Sequence, residues 1–138
     1  MNMKNKSGFT LLEIIIVIII VGVLASLALP RFFSTVEYSR STEALNALGV
    51  IRKSVVRCGM VNDNVVGCDN FAAIDIDNPG AEPGAHFSYQ IAVTGANAFT
   101  VTATRNTVNG GTSGDLVELS VSGAGQTRSG TTAFASIK

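Results

Sequence analysis

The sequence is poor in the side chains from which catalytic and metal centres are built. Its 138 residues include one histidine, two cysteines and no tryptophan. A Ser-His-Asp triad would have to use His86, but no G-x-S-x-G elbow accompanies it. The run Gly84-Ala85-His86-Phe87 reads instead as the start of a strand. Charge is scarce as well: 14% of residues are Asp, Glu, Lys or Arg, against roughly 25% in an ordinary soluble domain. Ten basic and ten acidic side chains give a formal net charge of zero. A nucleic-acid partner is therefore not expected, because binding phosphates needs a cationic excess. A 46% hydrophobic share excludes intrinsic disorder. No P-loop glycine pattern is present, so energy for any assembly step must come from another protein. Asp63, Asp69, Asp75 and Asp77 are hard-cation ligand types in one stretch, but their spacing fits no EF-hand loop. Neither enzymatic activity nor a metal or other cofactor is expected.

What the sequence does have is hydrophobicity gathered at one end. After the polar octet MNMKNKSG, residues Phe9 to Leu29 form a run of 21 with a single ionisable group, Glu13. As a helix this run reaches about 32 Å, close to the hydrocarbon thickness of a bilayer. Ile and Val dominate it, and in water they would favour strand. In lipid the backbone must satisfy its own hydrogen bonds, and helix wins. Lys4 and Lys6 precede the run and no cation follows before Arg31, which puts the N-terminus on the cytoplasmic side.

Beyond Pro30 the helical pattern continues. Phe33, Val36, Ala44, Ala47, Leu48, Ile51 and Val55 recur at spacings of three and four over most of the stretch, with a gap around Arg40. Glu37, Arg40, Glu43, Arg52 and Lys53 take the other positions, as an amphipathic helix requires. The spacing predicts one helix from about Thr10 to Cys58, kinked at Pro30 and ended at Cys58-Gly59 by a left-handed glycine. Residues 60–84 read as a long loop rich in Asn, Asp, Gly and Pro. Alternation then appears in Phe87, Tyr89, Ile91 and Val93, in Phe99, Val101 and Ala103, and in Val117, Leu119 and Val121. TTAFASIK offers a last edge strand. Turn signals separate these runs at Gly95-Ala96-Asn97, Asn109-Gly110-Gly111 and Gly123-Ala124-Gly125. The fold expected is α+β: a long N-terminal helix whose first half spans a membrane, packed on a small antiparallel sheet of three to four strands.

Gly8-Phe9-Thr10-Leu11-Leu12-Glu13, followed by the apolar run to Pro30, resembles the N-terminus of the type IV pilins. The resemblance covers about the first fifty residues closely and the remainder in layout. It implies a leader over 1–8, a membrane and assembly segment over 9–30, the amphipathic half of the helix over 31–58, and a loop-and-sheet head over 59–138. It further implies cleavage after Gly8 by a prepilin peptidase and N-methylation of Phe9. Subunits would leave the inner membrane through an ATPase-driven assembly machinery and its inner-membrane platform, and join copies of themselves in an extracellular helical polymer. Gly22 and Pro30 match the helix-weakening positions of the family. They serve either to let the intervening segment unwind during assembly or to set a passive kink.

Glu13 is the residue on which the mechanism turns. An ionised carboxylate in a bilayer is unfavourable by about 2.5–3.5 kcal/mol on insertion scales. After cleavage the Phe9 amine lies four residues away in the same helix, and the family resemblance adds the amine of a neighbouring subunit as the assembly partner. Cys58 and Cys68 fall outside the cytoplasm in this topology, where a bridge from helix end to loop would persist; free buried thiols are the alternative. Many pilins instead staple a loop near the C-terminal sheet. Other readings are an ordinary signal peptide cut after Ser26-Leu27-Ala28, a plain membrane anchor, a membrane-anchored binding module, and the pseudopilin of a type II secretion system.

Overall fold

The computed structural model describes residues 8–137. Lys4 and Lys6, with the rest of the expected leader up to Ser7, lie outside the described residues. The chain divides into two units at the boundary between Thr35 and Val36. One helix, α1 (Leu11–Val61, 51 residues), contributes to both.

In the first unit the apolar run is helical from Leu11 onward, and the helix passes through Pro30 without interruption. Pro30 has no N–H to offer the Ser26 carbonyl. The hydroxyls nearby turn back onto the helix: Ser26 Oγ donates to the Val23 carbonyl at 2.7 Å, and Ser34 Oγ and Thr35 Oγ1 both donate to the Arg31 carbonyl at 2.9 Å. Polar side chains in an apolar segment thus find partners on their own backbone. The large side chains from Leu11 to Leu29 are exposed.

In the second unit the helix buries one face. Ser41, Ala44, Leu48, Ile51 and Val55 are all inaccessible or nearly so, and they follow each other at intervals of three and four. Ser41 fills the gap that the apolar pattern leaves around Arg40, its hydroxyl donating to the Tyr38 carbonyl. The buried face packs on a four-stranded antiparallel meander in the order β1 (Phe87–Gly95), β2 (Ala98–Arg105), β3 (Leu116–Ser122) and β4 (Gly125–Gly130). Ile91 pairs with Val101 and Val101 with Leu119, so the alternating apolar residues of three strands share one side. Val65, Cys68, Ile74, Phe134 and Ile137 complete the core from the loop and the C-terminal segment.

Two boundaries differ from expectation. The helix does not stop at Cys58-Gly59 but runs to Val61, and the left-handed residue past its end is Asp63, with φ of 61°. Gly59 is needed for space instead, since a Cβ there would lie 2.7 Å from Val65 Cγ1. The last strand is not TTAFASIK but the preceding GQTRSG, which is polar along its whole length and exposed up to Gly130. In TTAFASIK the residues Thr132–Phe134 form a 3-10 turn. Phe134 and Ile137 stand three apart, a helical rather than a strand spacing, and both enter the core. The Phe134 ring lies 5.8 Å from that of Phe87.

Candidate assembly site

Local chemistry at the start of α1 fixes Glu13. Thr10 N donates to Glu13 Oε2 at 2.7 Å, and Thr10 Oγ1 donates to the same oxygen at 2.9 Å. Glu13 N donates back to Thr10 Oγ1 at 3.2 Å. This is a reciprocal capping box, in which both side chains satisfy amide groups that the first turn leaves without helical partners. Thr10-Leu11-Leu12-Glu13 has the T-x-x-E spacing of that motif, so the cap could have been read directly from the sequence. With Gly8 still attached, Phe9 presents an amide and no charged amine. Phe9 is 83% exposed beside this cap. Gly22 has no neighbouring atom that a methyl group would meet. The arrangement can hold one carboxylate at a helix start, where the helix dipole favours it, next to a long apolar surface.

The second unit contains an ionic centre that sequence reading missed. Arg105 ends β2 on the inward side, in alternation with Phe99, Val101 and Ala103, and its side chain is wholly buried. Its Nε donates to Glu37 Oε2 at 3.0 Å and its Nη2 to Glu37 Oε1 at 3.2 Å. Nη1 donates to the carbonyls of His86 and Asn106, and Nη2 to that of Val108. The guanidinium also stands 5.7 Å from the centre of the Phe87 ring. Gly111 makes room, because a Cβ at that position would run into the guanidinium. Arg105's hydrogen bonds hold the Glu37 carboxyl below its ordinary range against the opposing push of burial, helped by the charges of Arg105 and Arg40. Nearby, His86 lies between Glu43 (Nδ1 to Oε2, 3.1 Å) and Asn109 (Nε2 to Nδ2, 3.0 Å). Burial and the charge of Glu43 push the Tyr89 hydroxyl up to about 12. His86 thus ties the helix to two loops.

Cys58 and Cys68 are joined in a disulfide across a Cα–Cα distance of 6.1 Å. It links the last turns of α1 to the loop beyond, as the sequence suggested. Asp63, Asp69, Asp75 and Asp77 are exposed and dispersed. Among the described residues no three of His, Cys, Asp and Glu converge in a way that could hold a metal ion.

Comparison with known proteins bears on both units. The family described as the prokaryotic N-terminal methylation motif matches residues 3–29. A probable minor fimbrial protein of Dichelobacter nodosus is 41% identical over 70 residues, covering 51% of this chain and 43% of the relative. The type IV major fimbrial protein FimA of the same organism is 25% identical over 116 residues, 73% of this chain and 72% of the relative. The type II secretion system core protein G of Aeromonas hydrophila is 28% identical over 83 residues, 60% of this chain and 58% of the relative. The chain thus spans under half the length of the minor fimbrial protein and nearly three quarters of FimA. No solved structure matches.

Proposed function

We propose that this chain, whose N-terminal motif and α+β layout are those of a type IV pilin, is a structural subunit of an extracellular type IV filament. The observation that carries the proposal is the start of α1: a methylation motif, one capped carboxylate at Glu13, and a stretch from Leu11 to Leu29 whose large apolar side chains are exposed. Such a surface is stable only in lipid or against other helices. In this reading the subunit waits in the inner membrane, a prepilin peptidase cuts it between Gly8 and Phe9, and Phe9 is methylated. An ATPase-driven machinery on an inner-membrane platform then transfers it to the filament at the cell surface. The Phe9 amine of one subunit meets Glu13 of the next, exchanging a carboxylate capped on itself for an ion pair between subunits. Gly22 and Pro30 let the segment between them adapt as lipid is replaced by neighbouring helices. The relatives the chain resembles are named as fimbrial and secretion-system proteins, which supports a structural role.

A second reading, the pseudopilin of a type II secretion system, draws on the similarity to core protein G. The pilus is preferred because similarity to fimbrial proteins extends further along the chain and because the disulfide braces an exposed head. Intact-mass analysis of subunits from sheared filaments tests the proposal. The expected mature N-terminus is Phe9 bearing one methyl group. A chain beginning at Leu29 would identify a signal peptide and overturn the filament reading.

A further inference from the structure

Past the apolar run, the first unit ends in a short stretch of different chemistry. Between Glu13 and Glu37 the sequence has a single charged residue, Arg31, followed directly by Phe32 and Phe33. Arg31 is exposed and forms no ion pair among the described residues. Both phenyl rings are 62% exposed, and they stand edge to face with centroids 6.1 Å apart. Adjacent residues on a helix point about 100° apart, so one partner helix, which covers a single stripe, would leave one ring bare. A medium that surrounds the helix covers both. The next two side chains call for no water, because Ser34 Oγ and Thr35 Oγ1 already donate to the Arg31 carbonyl.

Level along the helix identifies the medium. From Leu11 to Pro30 the helix rises about 30 Å, the thickness of a bilayer's hydrocarbon core. With that stretch in the core, Arg31, Phe32 and Phe33 fall at the phosphate and glycerol layer on the side away from the N-terminus. A guanidinium there meets phosphate oxygens in the paired geometry it favours, and aromatic rings pack at the boundary of headgroups and acyl chains. The same helix puts Glu13 about 27 Å from Arg31, at the opposite edge of the core. There the carboxylate and its Thr10 cap reach the other headgroup layer and avoid the bilayer centre, where a charge is most costly.

We propose that Arg31, Phe32 and Phe33 form a collar that docks on phospholipid headgroups of the outer leaflet of the inner membrane, and that this collar sets the depth at which Glu13 is held before assembly. The inference rests on the membrane stage of the filament reading and deepens it by naming the lipid contact. A cation moved along the helix then carries the helix with it, because a guanidinium resists entering hydrocarbon more than its apolar neighbours resist a change of level.

Depth measurements on the full-length chain in vesicles of phosphatidylethanolamine and phosphatidylglycerol test it. The chain has no tryptophan, so Ile20→Trp reports the middle of the span and Phe33→Trp the collar. Lipids brominated near the ends of their tails are expected to quench the first, and lipids brominated near the headgroup the second. A nitroxide on Leu12→Cys, the native cysteines being joined to each other, reads the level of the helix start through its accessibility to oxygen and to an aqueous nickel chelate. Moving the cation by Arg31→Leu with Ser34→Arg is expected to bring this label toward water. Arg31→Leu with Leu27→Arg is expected to draw it into the core. The two levels should differ by about 5–10 Å, the rise between the two sites less the reach of the side chain. A label that stays at the parent level in both variants, with Ile20→Trp still quenched, overturns the collar. So does a Phe33→Trp that no lipid quenches, since the ring is then covered by protein or lies in water. An Ile20→Trp that no lipid quenches defeats the membrane stage of the filament reading, and the collar with it.

Discussion

Arg105 occupies a strand position where alternation calls for an apolar side chain, and it is tolerated there because every donor it points inward finds an acceptor. Two go to Glu37 and three to loop carbonyls. Removing Arg105 takes the donor from the loop carbonyls and leaves Glu37, which is partly exposed, with Arg40 as its remaining partner, at about 1–3 kcal/mol. Arg105→Ala is therefore expected to lower the unfolding free energy of the head by that amount, read by chemical denaturation of the soluble part. Arg105→Lys should recover only a fraction, because a lysine cannot form the paired bonds to one carboxylate. The pair also sets an acid limit. The carboxyl of Glu37 is held below its ordinary range in the folded state, so its stabilisation is present above an ordinary glutamate pKa of about 4.3. That stabilisation is lost as pH falls through the lower folded value. Glu37→Gln should flatten the acid side of a stability profile measured between about pH 5 and pH 2. Tyr89 acts at the other end: the unfolded phenol ionises near pH 10 and the folded one at about 12. Stability should consequently fall between those values, and Tyr89→Phe should remove that slope.

Elements differed in how far their residues revealed them. The apolar run, the helical face through Ala44, Leu48, Ile51 and Val55, and the three alternating strands were legible because burial on one face leaves a period in the sequence. β4 left none: GQTRSG has no apolar side, and it forms a strand because β3 offers it a ladder after the turn at Gly123-Ala124. The Glu37–Arg105 pair was hidden for a related reason, since an acid on a helix and a base at a strand end each read as solvated until the two faces are brought together. The end of α1 was misplaced because a glycine near a helix end signals a cap, whereas Gly59 answers to the approach of Val65. Gly59→Ala should then be destabilising, although alanine is the better helix former by about 1 kcal/mol. The Cys58–Cys68 bridge braces the same corner. By the chain-entropy argument a loop of this order contributes about 3 kcal/mol. Cys58→Ser is expected to lower head stability by a comparable amount in denaturation experiments, with the four-stranded sheet still formed.

At the scale of the whole molecule, one residue connects the membrane form of the chain to its proposed polymer. In the uncut chain Glu13 is satisfied by Thr10 and needs no other subunit. The proposed cleavage after Gly8 would change the balance by creating an α-amine at Phe9, a group that ordinarily stays protonated up to about pH 8. Between apolar helices, with water excluded, opposite charges attract more strongly than at a wet surface, and an incoming amine can draw the carboxylate away from its cap. Glu13→Ala removes the charge and one half of the capping box. Membrane insertion should be unchanged or improved, because no carboxylate has to enter lipid. Processing should persist, because the proposed cut lies at the junction of Gly8 and Phe9, outside the substitution. Fibre growth should be lost, with cleaved subunits accumulating in the inner membrane. Glu13→Gln separates charge from cap: its amide oxygen can still accept from Thr10, yet it cannot neutralise an ammonium group. If charge pairing drives assembly, the Gln and Ala variants should fail alike when fibres are counted by electron microscopy and processed subunits are weighed in membrane fractions. Fibres of normal number and length from Glu13→Gln would assign the role of Glu13 to the helix cap. Normal fibres from Glu13→Ala as well would leave apolar packing of the helices as the sole driving force.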